Sequence, residues 1–164
     1  MLTAIRNTSR PLALLIVLVL AACSAATILA LLDTALQILA QVNSYVGIIP
    51  PKAAQFFVAG ADCISYAATE TASTDPPATQ YSNIIAQCGA IVKTDLTGFP
   101  PGLVDLATKL ILKITQIISG LQKPVAVAVA TPGKRVNYSA AQRARLAEIS
   151  VQANKIKADL LNRK

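Results

Sequence analysis

The chain has 164 residues, of which 54% are hydrophobic and 14% charged, and its formal net charge is +7. It contains no histidine and no tryptophan. Without histidine the chain cannot build a Ser-His-Asp triad, a Cys-His dyad or a zinc site with imidazole ligands. We therefore expect one domain with terminal extensions, and a non-enzymatic protein without metal or cofactor.

The N-terminal segment has the pattern of an export signal. Arg6 and Arg10 precede an uninterrupted apolar run, residues 12–20. A basic start followed by a short apolar core is typical of a secretory signal peptide. An uncleaved membrane anchor stays open as an alternative, because no charge interrupts residues 11–32, which is enough to span a bilayer.

Leu20-Ala21-Ala22-Cys23 follows the apolar run and resembles the lipobox of bacterial lipoproteins. The resemblance implies that residues 1–22 are removed and that Cys23 carries diacylglycerol and an acylated amine, which anchor the chain in a membrane. Enterobacterial lipoproteins retained in the inner membrane carry Asp in the next position. Ser24 stands there in this chain, which implies an outer-membrane location facing the periplasm. Ordinary cleaved secretion is the other alternative.

If Cys23 carries lipid, Cys63 and Cys88 are the two remaining cysteines. Export would place them in an oxidising compartment, where disulfides form. Both fall near the middle of neighbouring predicted helices, among alanines and glycines that allow close approach. We predict a disulfide between them, with two buried free thiols as the alternative. Closing this loop of 25 residues is expected to stabilise the fold by about 3 to 4 kcal/mol.

Proline pairs divide the remaining chain. They fall at 50–51, 76–77 and 100–101, and each pair predicts a helix boundary. We predict an all-α fold, a small bundle of four to five helices punctuated by Pro-Pro turns. Strict alternation after Pro124 predicts an extended strap at 125–131. The predicted organisation is a bundle over 23–123, an extended linker over 124–133 and a basic amphipathic helix over 134–164.

Apolar seams identify the core faces of three of these helices. Ser139 and Gln142 form a capping box that begins the last helix. The seam of the first helix is Leu29, Leu32, Leu36, Leu39, Asn43 and Val46; that of the fourth is Leu103, Leu106, Leu110, Ile114, Ile117 and Leu121; that of the last is Leu146, Ile149, Ala153, Ile156 and Leu160.

Positive charge is concentrated at the C-terminus. Residues 134–164 hold eight basic and two acidic residues, a net +6, whereas 24–133 hold five lysines and six acidic residues, a net −1. An exported chain meets anionic lipid head groups, lipopolysaccharide and peptidoglycan carboxylates but no nucleic acid. We predict contact with such a surface through Arg143, Arg145, Lys155 and Lys157, with an ordinary solvated helix face as the alternative.

The last two residues, Arg163-Lys164, together with the lipobox, resemble the Braun lipoprotein family, in which the terminal lysine is joined to peptidoglycan. That family is otherwise a short single helix with little proline, unlike this chain. The resemblance implies Lys164 as an attachment point. The function expected from the whole sequence is a periplasm-facing structural or interaction module that contacts an envelope protein or polymer. The alternatives are a carrier of apolar ligands and a prophage exclusion lipoprotein.

Overall fold

The computed structural model describes residues 25–45, 49–127 and 137–162. It contains five α-helices and, within these ranges, no strand, which confirms the predicted all-α bundle. Cys23, the signal segment and Lys164 lie outside the described residues. The helices are α1 (Ala25–Asn43), α2 (Pro51–Thr71), α3 (Pro77–Val92), α4 (Pro101–Val127) and α5 (Ala140–Leu161).

Each proline pair begins a helix in the same way. Pro50 and Pro76 are extended N-caps, with ψ of 143° in both. The second proline of each pair takes the first helical position, where its fixed φ fits the helix and its missing N–H is not needed. Pro100 accepts backbone hydrogen bonds from Leu103 and Val104, at 2.9 and 3.0 Å, and so starts α4 similarly. The proline pairs therefore mark helix starts, as predicted.

The first four helices form an up-and-down bundle. Each of α1, α2 and α3 packs against the next helix in the chain, and α4 packs against α1 and closes the ring. Helix α5 packs on the outside of this ring, along α2 and α1. Its buried side chains belong to the common hydrophobic core. The C-terminal helix, which the sequence predicts as a segment over 134–164, therefore packs as a fifth member of the bundle.

The core faces of α4 and α5 are those that the sequence predicts. All six predicted seam residues of α4 and all five of α5 are buried. The Ser139–Gln142 capping box is also present, with Gln142 N donating to Ser139 Oγ and Ser139 N donating to Gln142 Oε1. Helical periodicity locates these faces well because each helix buries one continuous stripe.

The predicted seam of α1 is partly correct. Leu32, Leu36 and Leu39 are fully or almost fully buried, whereas Leu29 is only partly buried. The helix ends at Asn43, and Val46 lies outside the described residues. Because α1 contacts α2, α4 and α5, it buries a wider stripe than one seam provides. The additional buried residues are Ile28, Ala35, Ile38 and Val42.

The predicted strap at 125–131 is wrong at its start, because α4 continues through Pro124 to Val127. A proline inside a helix removes one backbone hydrogen bond and crowds the preceding turn, but the following residues can still be helical. The alternation of Val and Ala therefore does not produce an extended segment at residues 125–127, which are helical. Residues 128–131 lie outside the described ranges.

The predicted disulfide is present. Cys63 of α2 and Cys88 of α3 are bonded, with 5.1 Å between their Cα atoms. This spacing lies within the range that a disulfide requires. Gly60, expected to help α2 approach α3, instead faces the other way, since a Cβ there would lie 2.7 Å from Leu110 of α4 and 3.6 Å from Leu39 of α1.

Candidate functional site

Helix α5 is held to α2 by a line of polar contacts. The hydroxyls of Ser65 and Ser150 are 2.8 Å apart, and Asn154 Nδ2 donates to Ser65 Oγ at 2.9 Å. Near the C-terminus of α5, Lys157 Nζ donates to Asp62 Oδ1 at 2.6 Å. Ser65 is buried, and Asp62, Ser150 and Lys157 are half-buried. These contacts fix the rotation of α5 about its axis and determine which residues face solvent.

Two of the four predicted surface-contact residues are paired with carboxylates of other helices. Arg145 donates to Asp33 of α1 through Nε and Nη2, at 3.0 and 2.7 Å, and to Glu148 through Nη1 at 2.6 Å. The hydrogen bonds that Arg145 donates to Asp33 raise the pKa of Arg145, and the one that it donates to Glu148 adds to the effect. Lys157 is similarly paired with Asp62. Carboxylates of the chain itself therefore largely neutralise the charge of these two cations. The same ion pairs stabilise the packing of α5.

Arg143 and Lys155 are exposed, and neither forms a hydrogen bond or ion pair with the described residues. They therefore keep their charge available to a partner, unlike Arg145 and Lys157. Their positions differ. Arg143 lies in the first turn of α5, whereas Lys155 lies in its second half.

Pairings along α5 show that α1 and α5 begin at the same end of the bundle. Asp33 of α1 lies level with Arg145, and Asn43 lies level with Asp159, whose carboxylate accepts from Asn43 Nδ2 at 3.2 Å. At a rise of about 1.5 Å per residue, Ala25 lies roughly 12 Å before Asp33, and the N-cap of α5 roughly 9 Å before Arg145. We call this the basal end of the bundle. It also contains the end of α2 and the start of α3.

A polar cleft lies at the basal end, between the end of α2, the start of α3 and the start of α5. Its volume is about 130 Å³. Among the described residues, no aspartate or glutamate lines the cleft, and Arg143, which is exposed, is the basic residue that lines it. The other polar side chains around it are Thr71, Ser73, Thr74, Gln80, Asn137 and Tyr138.

Tyr138 is the most unusual residue of the cleft. It is only 7% exposed, and its hydroxyl has no hydrogen-bond partner among the described residues. Burial raises its pKa, and the nearby Thr71 hydroxyl opposes part of that shift. The Thr71 proton itself is donated to Ala67 O at 2.8 Å. A buried hydroxyl without a partner costs free energy.

Sequence reasoning did not identify this cleft. The Ser139–Gln142 capping box predicts where the last helix begins, but it does not predict a cleft beside it. Tyr138 directly precedes the N-cap, and Arg143 is the fourth helical residue. A hydrophobic staple pairs apolar side chains at these two positions. Because Arg143 is charged, that pattern does not identify the cleft from the sequence.

Among the described residues, no group of three Cys, Asp or Glu side chains is placed to hold a metal ion. Helix α1 is the one described helix that is long and apolar enough to cross a membrane. Comparison with family models, with curated proteins and with solved structures found no match for the chain.

Proposed function

We propose that the chain is a lipid-anchored, non-enzymatic protein of the bacterial envelope that serves as a periplasm-facing structural or interaction module. The observation that carries this proposal is the position of α1. It begins at Ala25, two residues after the lipobox cysteine, and its apolar face is already part of the bundle core. A lipid on Cys23 would therefore leave the folded bundle directly at the membrane surface.

The burial of α1 weighs against an uncleaved anchor. Ile28 and Leu32 are 1% and 0% exposed, and Asp33 is paired with Arg145. If α1 belongs to the bundle, the uncharged run that starts at residue 11 has only about 14 residues left for the membrane, whereas a spanning helix needs about 20. A run of that length suits the core of a signal peptide.

The carrier alternative is not favoured by the cleft. Pockets for small ligands are commonly about 300 to 1,000 Å³ and mostly apolar. The basal cleft is about 130 Å³ and has a polar rim. The aliphatic side chains of the five helices pack against each other in one core. These features support a protein that works through its surface and its attachment.

Mass analysis of the protein made from the full chain in a Gram-negative host tests the anchor. We expect a chain that begins at Cys23 and carries a diacylglycerol and an acyl group, and that incorporates an alkyne-labelled fatty acid. Cys23→Ser is expected to abolish labelling. Cys63→Ser is the matched control, because it removes a different cysteine and is expected to leave labelling intact. A mature chain that still begins at Met1, or one that begins after residue 22 without lipid, would overturn the proposal.

A further inference from the structure

The face of α5 that points away from the bundle carries no charge along its length. A helix on the surface of a protein normally places its charged residues on this face. In α5 a stripe of exposed, uncharged residues runs there at alternating spacings of four and three, and all six charged residues of the helix lie beside it. We call this the outer stripe; it consists of Ala140, Ala144, Ala147, Val151, Asn154, Ala158 and Leu161.

The outer stripe presents two large apolar side chains to solvent. Val151 is 69% exposed and Leu161 is 53% exposed. Helix α5 packs along α1 and α2 through its opposite face, and no other described helix contacts it. Removal of apolar surface from water drives association, so burial of these side chains against a second apolar surface is favourable. The outer stripe therefore has the character of a helix contact without its partner.

The spacing of the outer stripe is that of a coiled coil. Its alternation of four and three residues corresponds to positions a and d of a heptad over the length of α5. The four alanines allow two helix axes to approach to about 8 Å, the short end of the usual range. Asn154 is the one polar residue of the stripe, and it fixes the register, since a shift would place its amide against an apolar side chain. The stripe therefore fits a second copy of itself.

The charges beside the outer stripe favour a parallel pair. Arg143 and Glu148 take positions g and e, which meet between the two helices of a parallel pair and form the same attractive contact twice. Arg143 is exposed, and the side chain of Glu148 is 51% exposed beside its partner within the chain. In an antiparallel pair Glu148 would meet Lys155, but this attraction would be offset by the contact of Arg143 with Lys157.

We propose that two copies of the chain pair in parallel through the outer stripe, side by side in the membrane that anchors them. The membrane part of the proposal rests on the proposed lipid anchor. Helices α1 and α5 begin at the same basal end, and α1 begins two residues after Cys23. A parallel pair therefore brings both α1 starts to one side, as anchoring in one membrane requires, whereas an antiparallel pair would place them at opposite ends.

The membrane supplies what the contact lacks in area. One face of a helix of 22 residues measures roughly 33 Å by 10 Å, which is less than the about 800 Å² that each partner buries in a stable interface. Confinement of both copies to one membrane raises their effective concentration. We therefore expect pairs in the membrane and single chains in dilute detergent.

Disulfide crosslinking of the full chain in membranes of a Gram-negative host tests the pair. Cys63 is bonded to Cys88 and the proposed lipid occupies Cys23, so an introduced cysteine is the free thiol. Under mild oxidation Val151→Cys is expected to link to itself and give a product of two chains. Leu112→Cys is the matched control, since it replaces another exposed aliphatic residue, on α4, which does not contact α5, and is expected to stay unlinked. No link at Val151→Cys, or equal linking of both variants, would overturn the pair.

Ala144→Cys and Ala158→Cys distinguish the two directions of pairing. In a parallel pair each position lies opposite itself, so each variant is expected to link to its own copy. In an antiparallel pair centred on Val151, a chain with Ala144→Cys would link to a chain with Ala158→Cys, and neither variant would link to itself. That second result would contradict the parallel arrangement.

Charge reversal tests the ion pairs and controls for folding. In the Val151→Cys background, Arg143→Glu and Glu148→Arg are each expected to lower linking about tenfold, because two attractive contacts become repulsive. When the two variants are made together, both contacts are attractive again, and linking between them is expected to return. Tags of different size identify this mixed product. A misfolded variant is not rescued in this way, and absence of rescue would refute the pairing of Arg143 with Glu148.

The mass of the protein in the same membranes reports the lipid on Cys23 and separates the two proposals. Lipid on Cys23 without linking at Val151→Cys would leave the anchor intact and overturn the pair. Linking at Val151→Cys without lipid on Cys23 would support the pair and overturn the anchor.

Discussion

At the scale of single residues, two glycines inside helices have opposite environments. A Cβ at Gly60 would lie 2.7 Å from Leu110 Cδ2, and Leu110 is fully buried. A Cβ at Gly89 would meet only Ile85 Cγ2, at 3.9 Å. Alanine gains up to about 1 kcal/mol over glycine in a helix, but overpacking a core costs about 1 to 3 kcal/mol. The same substitution is therefore expected to have opposite signs at these positions.

We predict that Gly60→Ala lowers the free energy of unfolding by about 1 kcal/mol and that Gly89→Ala raises it by about 0.5 to 1 kcal/mol. Urea unfolding of the two variants beside the wild type measures both effects. Leu110→Val in the Gly60→Ala background is expected to be less harmful than the sum of the single changes, because the two side chains compete for one space. Equal stabilisation by both alanines would contradict the packing around Gly60.

The buried Tyr138 predicts a loss of stability at alkaline pH. Its pKa is raised above the usual 10.0, mainly by burial. The unfolded chain therefore releases this proton first, so the stabilising contribution is complete below pH 10 and is lost as the pH rises through the folded pKa. One group contributes at most about 1.4 kcal/mol per pH unit. Urea unfolding between pH 8 and 11.5 is expected to show a steeper decline for the wild type than for Tyr138→Phe; parallel curves would contradict it.

At the scale of helices, the disulfide links α2 to α3 and closes a loop of 25 residues. On the chain-entropy model it restricts the unfolded chain and contributes about 3 to 4 kcal/mol. We predict that Cys63→Ala with Cys88→Ala lowers the free energy of unfolding by about that amount in oxidising buffer. In reductant, the wild type is expected to lose most of its extra stability over the double variant. The double variant has no disulfide between these positions, so its stability is expected to stay the same. A wild-type protein insensitive to reductant would contradict the prediction.

Prediction from sequence succeeded where one local rule acts alone. Pro51 and Pro77 start helices because their fixed φ fits only the first turn, and Leu103 to Leu121 bury one stripe because one helix face is covered. It failed at Pro124, where the helix continues despite the proline. The cleft was also missed, because Thr71 and Arg143 become neighbours only when α5 packs along α2.

At the scale of the whole molecule, the packing of α5 sorts its cations into two groups. Arg145 and Lys157 pair with carboxylates of α1 and α2, whereas Arg143 and Lys155 are exposed without such partners among the described residues. Only the second pair has its full charge available to an anionic envelope surface. The first pair holds α5 in place, with partly exposed ion pairs that contribute about 0.5 to 1 kcal/mol each.

Two charge-matched double variants separate these roles. We predict that Arg143→Gln with Lys155→Gln weakens binding of the detergent-solubilised chain to purified peptidoglycan by about tenfold at low salt, taking up to ~1 kcal/mol for each cation near an anionic surface. Arg145→Gln with Lys157→Gln is expected to weaken binding less but to lower the free energy of unfolding by about 1 to 2 kcal/mol. Sedimentation with peptidoglycan at several salt concentrations and urea unfolding measure the two effects. Both double variants remove two positive charges from α5, so equal losses of binding would show that net charge, and not its arrangement on the folded helix, governs the contact.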